Sequence, residues 1–299
     1  MPTILPYASI LLAPLLAAAW SGESAAVRDD RAAEQLGWKV ATKGYTFIKD
    51  QKTFIETLDI TQRLGLKYIE VNQRQSFSKE DPRFTDEKSP ADLREAIRQA
   101  MASRGIRPIG LGTLHPNNDE KATRSKFQYA KDLGIDLLIA EPFADAYDLV
   151  DRLSVEYGIR VAIHNHGKPT HMWDPALVVA AIAGRGRTWG ACADTGHWAR
   201  SGLTPVDCLK TLEGKLLSFH FKDTDKIGQG AVDVVLGTGA ADVKGMLIEL
   251  KRQRFSGLIA LEYEPAAKGE QLVDELRRGI AYIDQVAREL TAVPAGAAP

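Results

Sequence analysis

The residues of this chain that could do chemistry cluster at repeated positions. His115, His164, His166, His171, His197 and His220 all fall at the ends of short β-like runs or just beyond them, and none falls on a predicted helix. Alternation within those runs sorts their side chains into two faces. In Leu216–Lys222, Leu217, Phe219 and Phe221 form an apolar face, which leaves Ser218, His220 and Lys222 on the other. In Leu258–Glu264 the same parity sets Ala260, Glu262 and Glu264 opposite Ile259, Leu261 and Tyr263. It turns His164 and His166 the same way as Ala162, and Asp194 the same way as Cys192. Tyr68, Glu70 and Asn72 follow suit, with Glu141 at the end of another run. Carboxylates and imidazoles gathered on one face are costly to bury unpaired, so they need one another or a cation. A mixed His/carboxylate set suits Mn²⁺, Zn²⁺, Co²⁺ or Fe²⁺, with Mg²⁺ also admissible, better than a pure oxygen cage would.

Eight β-like runs position these groups. The pattern predicts strands over Trp38–Thr42, Lys67–Val71, Ile106–Leu111, Ile135–Ala140, Ile159–His164, Thr188–Ala193, Lys215–Phe221 and Gly257–Glu262. Amphipathic helical stretches separate them, from Thr53–Leu64 to Glu270–Leu290. Gly65, Gly105, Gly134 and Gly158 each follow a helix, the place of a C-terminal cap. Eight βα units without a break predict a single-domain α/β protein, a (β/α)₈ TIM barrel. An open doubly wound sheet would show a glycine-rich loop after the first strand, and Lys43-Gly44-Tyr45-Thr46-Phe47 does not fit one. In a barrel, groups at the strand C-termini meet at one mouth. The long connections Asn72–Ser89 and Asp223–Gly239 would lie at that mouth and read as lids or binding loops. Gly237-Thr238-Gly239 could cradle an anion, though such short turns are common loop features. Trp173, Trp198 and Phe143 could stack on a ligand at the same face, or pack in the core.

The chain has 299 residues, with 38 basic and 39 acidic side chains and a formal net charge of -1. That balance lacks the basic excess of a polyanion binder, so no nucleic-acid partner is expected. Residues 1–29 read as a signal peptide and linker: Ile10–Trp20 is apolar and Ala-rich, and small residues follow at Ser24, Ala25 and Ala26. The run is too short for a comfortable membrane span, so a periplasmic or secreted protein with no integral span after processing is expected. Residues 30–291 would form the barrel and 292–299 a disordered tail. Two cysteines, Cys192 and Cys208, give no disulfide framework or cysteine-rich zinc site, and Cys192 reads as a packed free thiol. A homo-oligomer is compatible with these residues.

Asp194-Thr195-Gly196-His197, His220-Phe221-Lys222-Asp223 and Leu261-Glu262-Tyr263-Glu264, in that order, resemble the sugar phosphate isomerase/epimerase superfamily, the xylose isomerase-like TIM barrels. The resemblance covers nearly the whole chain after about residue 37. It implies that Asp194, His220 and Glu262 ligate a divalent metal and that His197 contacts substrate beside it. The superfamily usually has a Glu at the fifth strand that both binds metal and moves a proton; here Ile163-His164-Asn165-His166 puts His164 there. His164 can ligate or act as a base, and Glu141 could replace the lost carboxylate. The implied activity is proton abstraction next to a metal-polarised carbonyl of a keto-sugar. Glu262, His164, Glu141 and Lys222 would be its catalytic groups. His197, His166, Glu70, His115 and Trp198 would bind the small carbohydrate substrate. Loss of the paired Glu also admits a dehydratase, hydratase or lyase acting on an oxidised sugar. The superfamily includes endonuclease IV, whose second Asp-x-His pair is replaced here by Asp223-Thr224-Asp225. A barrel that only binds sugar is the non-enzymatic alternative.

Overall fold

The computed structural model describes residues 28–292. The expected signal segment falls almost wholly outside them, as does the expected tail apart from Ala292. Eight parallel strands close into a barrel: β1 (Trp38–Lys43), β2 (Tyr68–Val71), β3 (Arg107–Leu114), β4 (Leu137–Ala140), β5 (Arg160–His164), β6 (Trp189–Asp194), β7 (Leu216–Phe221) and β8 (Gly257–Leu261). Pairing of Trp38 with Gly257 through Thr42 with Leu261 joins β8 to β1 and closes the ring. Gly65, Gly105, Gly134 and Gly158 all take positive φ at helix ends, where a Cβ would be strained.

Strand parity sets the core. Side chains on one face, among them Tyr68, Ile139, Ala162, Cys192, Leu258 and Ala260, fill the barrel interior. Those on the other face pack with the surrounding helices in a larger apolar cluster that includes Phe219, Phe221, Ile259 and Leu261. Two residues beyond each interior side chain the chain reaches the mouth, which puts Glu141, His164, Asp194 and Glu262 at the same end. Cys192 is a buried free thiol of the interior layer. Arg28, at the start of the described chain, forms a two-pronged ion pair with Asp284 of the last helix, Gly269–Ala292. No helix among the described residues is long and apolar enough to cross a membrane.

Two connections differ from expectation. The histidine at 197 stands on a short helix, Thr195–Arg200, because the Asp194 side chain accepts the His197 N–H and caps it. The 223–239 connection contains a hairpin of Asp223–Thr224 with Asp233–Val234 and is pinned rather than free. The Asp223 carboxylate accepts N–H bonds from Thr224, Gly237, Gly239 and Ala241 at 2.8–3.1 Å. The anion in the Gly237–Gly239 turn is therefore the protein's own. A Cβ on Gly239 would come within 2.5 Å of that carboxylate, so the turn needs glycine there.

Candidate metal centre

The ends of β5, β6 and β7 bring His164, Asp194 and His220 together; each offers one atom, and the three atoms lie within 4.8 Å of one another. All three side chains are buried. His164 Nε2 is 3.5 Å from Asp194 Oδ2, and His220 Nδ1 is 4.0 Å from it. None of these three atoms has a hydrogen-bond partner among the described residues, although the Lys222 ammonium stands 3.2 Å from Asp194 Oδ2. Buried polar atoms are rarely left so, and three such atoms facing one point fit a shared cation. Glu262, just past β8, adds its Oε2 at 2.8 Å from His220 Nδ1, without hydrogen-bond geometry.

Each imidazole is aimed by a carboxylate on its far side. Glu141 Oε1 lies 2.7 Å from His164 Nδ1, leaving Nε2 for the cluster. Glu70 holds His220 Nε2 at 2.8 and 3.0 Å, leaving Nδ1. Such outer carboxylates fix ring orientation and raise ligand basicity. Glu70 in turn pairs with the buried Lys43 at 2.8 Å. Asn165 brackets the Asp194 backbone with two hydrogen bonds, and Thr195 Oγ1 bonds both backbone groups of Lys222, so strand ends are tied to one another.

Lys222 is buried, with its ammonium 3.2 Å from Asp194, 3.3 Å from Glu262 and 3.1 Å from Glu264. Burial opposes its charge, but those three carboxylates outweigh it and keep the ammonium protonated. Burial likewise opposes charge on Glu262, yet Lys222 and His220 hold its carboxyl well below the usual carboxylate range. Asp194 is held low in the same way, with burial offset by His197 and Lys222. Desolvation pushes the His197 ring down to about 4, so it is neutral at pH 7. Glu70, Glu141, Asp194 and Glu262 are four buried carboxylates against two buried ammoniums, Lys43 and Lys222. Burial also opposes charge on His220, but Cys192, Glu70 and Glu262 hold its pKa well above the usual imidazole value, so a cation bound at Nδ1 would take the place of a proton.

Above the centre lies a cavity of about 360 Å³ lined by Lys43, Tyr45, Asn72, Thr113, His115, His164, His166, His197, Glu262 and Glu264. His166 is part-exposed and pairs with the same Glu141 oxygen as His164. Two expectations change here. Glu70, expected to bind substrate, is fully buried behind His220, because its parity places it one layer beneath the mouth. Trp198, expected on the substrate wall, packs fully buried in the outer apolar cluster, on a helix whose cap turns it away. Glu141, which could replace the lost carboxylate, is buried beside His164 and His166. Of the aromatic candidates, Phe143 is exposed and Trp173 lies under the Lys168 ammonium at 4.7 Å. Sequence reasoning assigned no role to Lys43, Tyr45 and Thr113. The end of β1 was the available signal for Lys43 and Tyr45.

A family model described as "Xylose isomerase-like TIM barrel" matches residues 58–285. A crystal structure of an uncharacterised protein from Parabacteroides distasonis ATCC 8503 is 32% identical, with a TM-score of 0.68, covering 83% of this chain and 99% of that one. D-psicose 3-epimerase, solved in the presence of D-fructose, has 17% identity and a TM-score of 0.60, with 85% of this chain and 96% of that one covered. The IOLI protein with a bound zinc atom has 18% identity and a TM-score of 0.57, again over 85% and 96%. No curated protein matches the chain. A closed eight-stranded barrel, the order of Asp194, His220 and Glu262 along its mouth, and the family match agree: the chain belongs to the xylose isomerase-like TIM barrel family.

Proposed function

We propose that this protein is a divalent-metal-dependent carbohydrate enzyme that removes a proton next to the carbonyl of a keto-sugar. The observation that carries this reading is the convergence of three buried atoms, His164 Nε2, Asp194 Oδ2 and His220 Nδ1, under a polar cavity. Those residues and Glu262 would hold the ion, and a bound Mn²⁺, Zn²⁺, Co²⁺ or Fe²⁺ would polarise the carbonyl as a Lewis acid. The remaining work falls to side chains. Glu262 lines the cavity as a carboxylate and is the group placed to take the proton, with its basicity lowered by Lys222. Lys222 is saturated by three carboxylates, so its role is to keep Glu262 and Asp194 charged and in place rather than to meet substrate. His197 and His166 face the cavity and would bind substrate hydroxyls, with His115 at the rim. Glu141 sets the ring of His164.

Elimination of a hydroxyl is the second reading. It is favoured by the ring of imidazoles, His164, His166 and His197, where the superfamily's two-carboxylate arrangement would place another Glu. An imidazole can protonate a leaving hydroxyl, whereas epimerisation returns the proton to carbon. Both readings are tested by incubating metal-loaded protein with keto-sugars in D₂O and following deuterium uptake and product by NMR. Solvent deuterium in recovered sugar supports proton abstraction, and a dehydrated product assigns elimination. Bound metal with neither outcome on any keto-sugar would leave a sugar-binding barrel. Export to the periplasm or medium belongs to the same proposal and rests on the N-terminal segment alone. Fractionation of cells expressing the full chain tests it, and an uncleaved cytoplasmic protein would overturn it.

A further inference from the structure

We propose that the cavity takes an uncharged sugar and discriminates against sugar phosphates and sugar acids; this rests on the carbohydrate reading above. The first ground is the glycine turn in the loop that follows β7, outside the cavity lining itself. The N–H groups of Gly237 and Gly239, which would otherwise suit a phosphate, already donate to the Asp223 carboxylate, which is itself buried. An incoming anion would have to displace a carboxylate that accepts from four backbone amides. The helix start at Thr195 is likewise taken, because Asp194 Oδ1 accepts the His197 N–H.

The second ground is the state of the cations. Lys222 is shared among Asp194, Glu262 and Glu264. Lys43 meets Glu70 at 2.8 Å, Asn72 Oδ1 at 3.1 Å and the Gly112 carbonyl. His166 is paired with Glu141, and at the rim Lys49 is paired with Glu264 at 2.8 Å. No arginine is among the described residues that line the cavity, although Arg is the usual clamp for phosphate and carboxylate. What remains on the walls is Tyr45, Thr113, His115 and His197, groups that exchange hydrogen bonds with hydroxyls without a charge partner. Glu262 and Glu264, the partners of Lys222 and Lys49, line the same walls with carboxylate oxygens, so a phosphate bearing about −1.5 to −2 charges meets acceptors there instead of free cationic donors.

Binding of a panel of neutral ketohexoses, their monophosphates and the matching uronates to the metal-loaded full chain tests this, by calorimetry at constant ionic strength. At least one neutral ketose should bind about tenfold or more tightly than its phosphate, a difference of about 1.4 kcal/mol. A phosphate or uronate that binds as tightly as, or more tightly than, its neutral parent would overturn the proposal. Deuterium exchange on the same panel separates it from the reaction it rests on. Neutral-sugar binding without exchange or product would overturn the reaction and leave the substrate class supported. Exchange confined to phosphorylated sugars would uphold the reaction and overturn the substrate class. Binding of none of the panel would overturn both.

Discussion

The two halves of the barrel carry different parts of the centre. The ends of β5 to β8 supply His164, Asp194, His220 and Glu262, the groups with atoms at the point of convergence. The ends of β1, β2 and β4 supply Lys43, Glu70 and Glu141, which stand behind those groups or brace them. The two imidazoles show the logic most clearly, since they are held by opposite ring nitrogens. Glu141 takes Nδ1 of His164 and Glu70 takes Nε2 of His220, and each choice frees the nitrogen that faces the cluster. One half therefore offers ligands, and the other fixes which atom of a ligand is offered.

That division can be broken by mutation. Asp194→Ala or His220→Ala should have the largest effect, lowering metal affinity by more than the ~100-fold at the upper end for an outer-shell loss. Metal content by mass spectrometry and competition with a chromogenic chelator would measure it. Wild-type affinity in either variant would remove the ligand role from β6 or β7. Glu70→Gln and Glu141→Gln should follow, with affinity reduced about 10–100-fold and the fold retained by circular dichroism. A loss as large as that of the ligand variants would erase the distinction between the halves, and no loss would reduce both carboxylates to packing.

Smaller effects are expected away from the candidate metal centre. Asp223→Ala leaves buried amides of the β7 loop without an acceptor and should cost about 1–3 kcal/mol or more in urea unfolding. An unchanged midpoint would mean that the loop is not held by this carboxylate. On the opposite half, Thr53 and Glu56 form a capping box at the start of the Phe54–Arg63 helix. Thr53→Ala should cost about 1 kcal/mol. The Lys79 ammonium, with the Thr53 amide, holds the Glu56 carboxyl down to about 2, against an ordinary 4.5. Its folded-state pKa is depressed, so its contribution is complete above about pH 4.5 and is lost as pH falls towards 2. Thermal melts of wild type and Glu56→Gln should therefore converge across that window, and a constant gap between them would exclude the linkage.

Much of this was legible along the chain because strand periodicity is local. The eight predicted strands agree with the observed ones to within three residues at either end, and alternation correctly turned His164, Asp194, His220 and Glu262 to one face. Partner choice was not legible. Glu70 and His220 are 150 residues apart, and parity could not tell a wall residue from one a layer below. Trp198 was misplaced for a related reason. Asp194 caps a helix in place of a loop, and one turn of helix carries Trp198 into the outer core while His197 stays at the mouth. An Asp three residues before His197 was a usable capping signal.

Local sequence specifies the barrel, its inward face and the order of the candidate ligands, because a period of two and glycine-capped helices are properties of short segments. It also determined that the fifth strand carries His164 where a carboxylate is usual. Only the tertiary structure decided what that histidine faces. Barrel closure sets Glu141 against one of its nitrogens and leaves the other 3.5 Å from Asp194, an arrangement that depends on three strands meeting and on no one of them alone.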